Sequence, residues 1–119
     1  MKKILLVDDD RDLLVLLRHV LKGRGYAVVT LEQGSEVFAT IDAANFDLLI
    51  LDINIGDCDG REICRKIKNN HSYDHIPVVL FSALVNEKDA MKGCEADGYI
   101  EKPISTPLFL QKIATLIAA

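Results

Sequence analysis

Two stretches of this chain are apolar at every position and then stop on acid. Ile4-Leu5-Leu6-Val7 runs directly into Asp8-Asp9-Asp10, and Leu48-Leu49-Ile50-Leu51 runs directly into Asp52. A strand with one face in water alternates polar and apolar residues. An unbroken apolar run is a strand covered on both faces, which is the situation inside a parallel sheet with helices above and below. A lone carboxylate is costly to bury without a compensating cation or hydrogen bonds. The acids therefore mark where each strand reaches the rim of the core, and they need a partner there.

The rest of the chain repeats the same alternation. Strands are read at Lys3–Val7, Tyr26–Leu31, Asp47–Leu51, Pro77–Phe81 and Gly98–Glu101. Between them lie helical patterns. Leu13, Leu14, Leu16, Leu17, Val20 and Leu21 make an apolar stripe that Gly23 or Gly25 stops. Ser35 is placed to cap a helix carrying Val37, Phe38 and Ile41. Ile63, Cys64 and Ile67 form the inner face of a third helix, and a fourth, short and poorly apolar, falls near Glu87–Gly93. Thr106-Pro107 reads as N-cap and first position of a last helix with Leu108, Phe109, Ile113, Leu116 and Ile117. Five βα units with right-handed crossovers make an open α/β sheet, because a closed barrel needs eight.

A chain of 119 residues suits a single domain, 1–119, with no second domain in this chain. The net charge of −4 argues against a nucleic-acid surface. No apolar stretch approaches the length of a membrane span, and the first residues lack the apolar core of a signal peptide, so the expected compartment is the cytoplasm. Cys58, Cys64 and Cys94 are odd in number and lack CxxC spacing, which speaks against zinc or a disulfide framework. His19, His71 and His75 show no ligand spacing and read as surface residues.

In open doubly wound sheets, ligands bind beyond the carboxyl ends of the strands. With the strand order 2-1-3-4-5, the residues at those ends converge: Asp8, Asp9 and Asp10 after strand 1, Asp52 after strand 3, Ser82 after strand 4, Lys102-Pro103 after strand 5. Clustered carboxylates repel one another and raise one another's pKa values. A hard divalent cation removes that conflict, and Mg²⁺ suits one or two carboxylates together with waters and a phosphate oxygen. Carboxylates, a cation, a lysine and a hydroxyl are the set that phosphoryl transfer needs, and an aspartate can itself be the nucleophile. Taken singly, Ser82 reads as a strand-end hydroxyl, Lys102 as a solvated lysine, and Asp10 as a helix N-cap. Their order and spacing give them a common reading.

Taken together, "ILLVDDD", "DLLILDINIGDCDG", "VVLFSA" and "DGYIEKP" resemble the receiver (phosphoacceptor) domain of two-component response regulators over essentially the whole chain. The resemblance implies a flavodoxin-like doubly wound (βα)5 fold with a parallel five-stranded sheet. It also implies that Asp52 is phosphorylated by a sensor histidine kinase or phosphotransfer protein, or by acetyl phosphate. Asp8 and Asp9 match the acid pair that, with Asp52, holds Mg²⁺ (Mn²⁺ being the alternative ion), and Asn54 matches the residue whose backbone carbonyl completes the coordination. Ser82 matches the hydroxyl that turns toward the phosphoryl group, Lys102 the lysine that pairs with it, and Tyr99 the aromatic that moves inward as the hydroxyl moves. The Lys102-Pro103 peptide is usually cis in this family. Output, including homodimerisation, is expected through the face made by the fourth helix, the fifth strand and the last helix. Such a module switches itself and is not a turnover enzyme.

The sequence departs from the pattern at three places. Gly56 stands where the family usually has proline, which is expected to loosen the loop and alter its conformation or the rate of dephosphorylation. Cys58 lies in the same loop. Leu84 lies two residues after Ser82, at a position that often tunes hydrolysis. Two other function classes share parts of the pattern. An aspartyl phosphohydrolase would need DxD after the strand, and Asn54 occupies its third position. A flavodoxin-like cofactor binder would need a phosphate-cradling loop after strand 1, where this chain has three acids.

Overall fold

The computed structural model describes residues 1–83, 93–103 and 105–118. Leu84 and the predicted helix near Glu87–Gly93, apart from Gly93, lie outside the described residues. Within them, five strands form one parallel sheet: β1 (Lys3–Val7), β2 (Ala27–Leu31), β3 (Leu48–Asp52), β4 (Val78–Ser82) and β5 (Gly98–Glu101). Their order is β2-β1-β3-β4-β5, as expected. Four helices accompany them: α1 (Arg11–Gly23), α2 (Val37–Ala43), α3 (Gly60–Lys68) and α4 (Thr106–Ala118). None of the described helices is long and apolar enough to cross a membrane.

The unbroken apolar runs are explained by what covers them. Leu5, Val7, Leu49, Leu51, Val78 and Leu80 pack in one cluster with Val37 and Ile41 of α2 and Ile63 and Ile67 of α3. Ile4, Leu6, Leu48, Ile50, Val79 and Phe81 pack in a second with Leu14, Leu17 and Leu21 of α1 and Phe109 and Ile113 of α4. Successive strand residues point to opposite faces, so both parities must be apolar. Leu48 to Leu51 are wholly buried, and each such side chain contributes about 1.5–3 kcal/mol over its exposed state. β3 sits at the centre, hydrogen-bonded to β1 on one side and β4 on the other.

Several local expectations shift. β3 and β4 each begin and end one residue later than read, so that Asp52 and Ser82 are the last residues of their strands. Asp47 instead ties the start of β3 to β1, its carboxylate accepting the Lys3 N–H at 2.8 Å. α1 ends at Gly23, and Gly25, at φ +89°, makes the left-handed turn. The amides of Gly25 and Tyr26 return to the carbonyls of Lys22 and Leu21, closing the helix end. Tyr26 therefore belongs to that turn and not to β2. Ser35 does not cap α2. It lies within a 3₁₀ turn, Gly34–Glu36, and donates its own N–H to Asp57. The cap of α4 is Ser105, whose Oγ accepts the Leu108 N–H at 3.4 Å, so Thr106 is the first helical residue. His19, His71 and His75 are exposed, as read.

Candidate phosphoryl-acceptor site

Asp8 follows β1, Asp52 ends β3, Ser82 ends β4 and Lys102 follows β5. Because these strands are parallel, their carboxyl ends share one edge. A cleft of about 720 Å³ opens there, lined by Asp8, Asp9, Asp52, Asn54, Ser82 and Lys102 together. Tyr99 does not line it. Tyr99 is buried behind the edge, and its hydroxyl donates to the Ser82 carbonyl at 3.4 Å.

Asp8 and Asp52 are 1% and 7% exposed. The Lys102 ammonium stands between them, 2.8 Å from Asp8 Oδ2 and 3.3 Å from Asp52 Oδ2, and 4.9 Å from the centre of the Phe81 ring. Burial, and next the charge of Asp8, push the Asp52 carboxyl up to about 6, against the opposing pull of Lys102. Burial works against the Lys102 ammonium, but Asp8 and then Asp52 more than offset it and hold its pKa above the ordinary value. One lysine therefore does not satisfy two buried acids. Asp8, Asp9 and Asp52 each offer a carboxylate oxygen, all within 4.8 Å of one another. That all-oxygen donor set fits a hard divalent cation.

Local structure explains the placement. Asp10 caps α1, accepting the Leu13 N–H at 3.2 Å, while Asp8 Oδ1 accepts the Asp10 N–H at 2.9 Å. The acid run thus divides its labour, with Asp10 serving the helix and Asp8 and Asp9 left to the cleft. The Asn54 N–H donates to Asp52 Oδ1 at 3.4 Å, and Asn54 Oδ1 accepts the Gly56 N–H at 3.4 Å. The Lys102-Pro103 peptide is cis, as the resemblance implied.

Three further residues shape the site without having been singled out. Gly60 opens α3 against the end of β3: a Cβ there would lie 2.1 Å from the Asp52 carbonyl oxygen. Asp59 caps the same helix and is paired with Arg61 at 2.8 Å. Asp57 accepts the N–H groups of Gly34 and Ser35 at 3.0 and 3.2 Å. The available signal was the run "GDCDG", where an acid before a glycine marks a capped helix start. Gly56 takes φ +91°, closed to proline, and its loop is tied down by the Asp57 bonds and by Ile55 N–H to Cys58 O and Gly60 N–H to Ile53 O. Cys64 and Cys94 are buried and form no disulfide; burial pushes the Cys64 thiol up to about 12, which suits core packing.

Comparison with known proteins gives the same picture. Residues 4–114 match the family model for the response regulator receiver domain. The phosphate regulon transcriptional regulatory protein PhoB of Rhizobium meliloti (strain 1021) is 32% identical over 97% of this chain and 52% of its own length. The polar-differentiation response regulator DivK of Brucella ovis is 29% identical over 98% of this chain and 96% of its own. The first four curated relatives are 43–52% covered, so the chain spans about half their length. Among solved structures, chemotaxis protein CheY4 of Vibrio cholerae superposes with a TM-score of 0.89 at 27% identity, covering 98% of both chains. Response regulator TrrA of Thermotoga maritima, solved with Mg²⁺ and BeF, gives 0.87 at 29% identity, covering 98% of this chain and 99% of that one. The chain therefore belongs to the response regulator receiver domain family, whose function is phosphorylation-dependent signalling.

Proposed function

We propose that residues 1–119 act as one receiver unit in which Asp52 accepts the phosphoryl group from a sensor histidine kinase or a phosphotransfer protein. The observation that supports this most directly is the setting of Asp52. It is a nearly buried carboxylate at the end of the central strand, within metal-ligand range of Asp8 and Asp9 and 3.3 Å from Lys102. An Asp52 oxygen attacks phosphorus, forming the acyl phosphate, and the phosphodonor leaves with the bonding electron pair. Mg²⁺ held by Asp8, Asp9 and Asp52, with the Asn54 carbonyl, would neutralise charge on the phosphoryl oxygens. Lys102 supplies a second positive charge 3.3 Å from Asp52. Ser82 supplies a hydroxyl from the neighbouring strand end, and Tyr99, bonded to the Ser82 carbonyl, couples that position to the interior.

The output surface in this reading is the face formed by the predicted 87–93 helix, β5 and α4, through homodimerisation or a downstream domain or protein. Leu108 of α4 is 57% exposed beside a groove lined by Tyr99, Lys112 and Leu116, in keeping with a contact face. The unit works in the cytoplasm, where its phosphodonor class resides, and modifies itself without turning over a substrate.

Incubation with acetyl phosphate and Mg²⁺, followed by intact-protein mass measurement, tests the assignment. The wild-type chain is expected to gain one acid-stable, base-labile phosphoryl group, and Asp52→Asn none. Incorporation into Asp52→Asn at the normal rate would sink the assignment, and sustained phosphate release would point to a hydrolase.

A further inference from the structure

We propose that Asp57 is a positioning residue for the acid cleft, acting as a clamp that bolts the loop after Asp52 to the corner between β2 and α2. The inference rests on the reading of the site above and deepens it. Asp57 Oδ1 accepts the Gly34 N–H at 3.0 Å and Oδ2 the Ser35 N–H at 3.2 Å. Both amides open the 3₁₀ turn Gly34–Glu36, which has no side-chain cap of its own from Gln33. N–H groups at the start of a helical turn have no carbonyl to bond within it, so the distant carboxylate supplies what Ser35 was expected to supply. Chiefly the Gly34 N–H holds the Asp57 carboxyl below the usual carboxylate range.

The next residue closes the same joint. A Cβ at Gly34 would lie 2.0 Å from Cys58 Sγ and 2.8 Å from Ile63 Cδ1. The loop therefore packs against bare backbone at Gly34, and a side chain there would force Cys58 and Ile63 to shift.

The clamp matters because of what lies just upstream. Gly56 turns the loop at φ +91° with its α-carbon facing Asp9, so that a Cβ would stand 3.1 Å from Asp9 Oδ2. Asn54 sits two residues before it and donates its N–H to Asp52. Glycine has no side chain of its own to brace the turn, so the turn is held by bonds from its neighbours. The position of Asn54 and Gly56 over the acids is then set from the far side, at Asp57 and Cys58. Outer partners that orient metal ligands affect metal affinity although they never touch the ion. Coupling of this kind is reciprocal: a cation held by the acids must tighten the Gly34 and Ser35 hydrogen bonds as much as those bonds favour the cation.

The test compares the wild-type chain with Asp57→Ala and Asp57→Asn. Both variants lose the same charge, but the asparagine oxygen still accepts an N–H. Mg²⁺ affinity is measured by titration, and amide hydrogen exchange at Gly34 and Ser35 is followed with and without Mg²⁺. Asp57→Ala is expected to bind Mg²⁺ about tenfold more weakly, with Asp57→Asn, whose single oxygen can keep one of the two N–H bonds, recovering part of the loss. In the wild type, both amides are expected to gain protection when Mg²⁺ is added. Equal weakening in the two variants would show a charge effect and overturn the clamp, as would unchanged protection in the wild type, a readout that needs no variant to fold. A wild-type chain that bound no Mg²⁺ and took no phosphoryl group would instead overturn the underlying reading of the site, and the clamp with it.

Discussion

The Lys102 ammonium lies 2.8 Å from the Asp8 carboxylate, a contact between residues 94 positions apart. It joins the end of the first strand to the end of the last, across the full width of the site. Asp8 is almost wholly buried and Lys102 largely so. The pair, with Asp52 beside it, holds the acid cleft together when no cation is present.

Removing the lysine should therefore expose a conflict that a metal can cure. Lys102→Ala leaves Asp8 and Asp52 facing each other with no cation, and breaking a buried pair in this way costs about 3 kcal/mol or more. Urea unfolding at pH 7 in chelator is expected to show that loss. Millimolar Mg²⁺ should restore more stability to Lys102→Ala than it adds to the wild type, because a bound ligand stabilises in proportion to its affinity for the folded state. Equal stabilisation of the two proteins by Mg²⁺ would show that Lys102 and the cation do not share the acids.

The raised Asp52 pKa sets a pH dependence of definite sign. Its carboxyl moves from 3.8 to about 6 on folding, mainly through burial. Between those values the folded chain binds more protons than the unfolded chain, so metal-free stability falls as pH rises through that window, at up to about 1.4 kcal/mol per pH unit. Asp52→Asn has no such charge to bury. It is expected to be the more stable protein at pH 7 by roughly 1–3 kcal/mol, with the advantage vanishing near pH 4. Denaturant unfolding of both proteins in chelator from pH 4 to 7 measures this directly.

Gly60→Ala sets two effects against each other. Alanine favours a helix over glycine by about 1 kcal/mol. Here its methyl would stand 2.1 Å from the Asp52 carbonyl oxygen and 3.2 Å from Ile53 Cα, so α3 must move off the strand, at a cost of about 1–3 kcal/mol or more. The clash should win. Thermal unfolding is expected to report a lower midpoint, and phosphoryl uptake from acetyl phosphate should slow because Asp52 is displaced. A stabilised variant with normal uptake would contradict the geometry.

Gly56→Pro restores the residue common in the family, yet it should harm this chain. Proline fixes φ near −65°, and Gly56 sits at +91°. The loop would have to refold and release its bonds to Gly34 and Ser35. The expected result is a loss of roughly 2 kcal/mol or more, with weaker Mg²⁺ binding by titration. A variant as stable as the wild type would mean that the left-handed turn is dispensable.

How much of this was legible beforehand follows from the range of each interaction. The short, fully apolar runs Ile4–Val7 and Leu48–Leu51, set among helical patterns, read as strands covered on both faces, and the acids behind them as rim residues, because periodicity and the cost of burying charge are local matters. The order of Asp8, Asp52, Ser82 and Lys102 along the chain was enough to place them at one sheet edge once that order was read as a doubly wound pattern. Helix caps proved less legible. Ser35 and Thr106 have the right side chains, but the groups that act are Asp57, from a loop 22 residues away, and Ser105, one position earlier. Which of two lawful caps is used depends on what the surrounding fold brings within hydrogen-bond reach. The same holds for Gly56, whose left-handed turn is set by a clamp at the next residue, and for Gly60, needed only because α3 starts against the carbonyl of Asp52. Local composition dictates which segments are strands and which ends must be polar. The long-range partners of Lys102 and Asp57 are settled by sheet order and register, which bring together atoms that no short window of sequence contains.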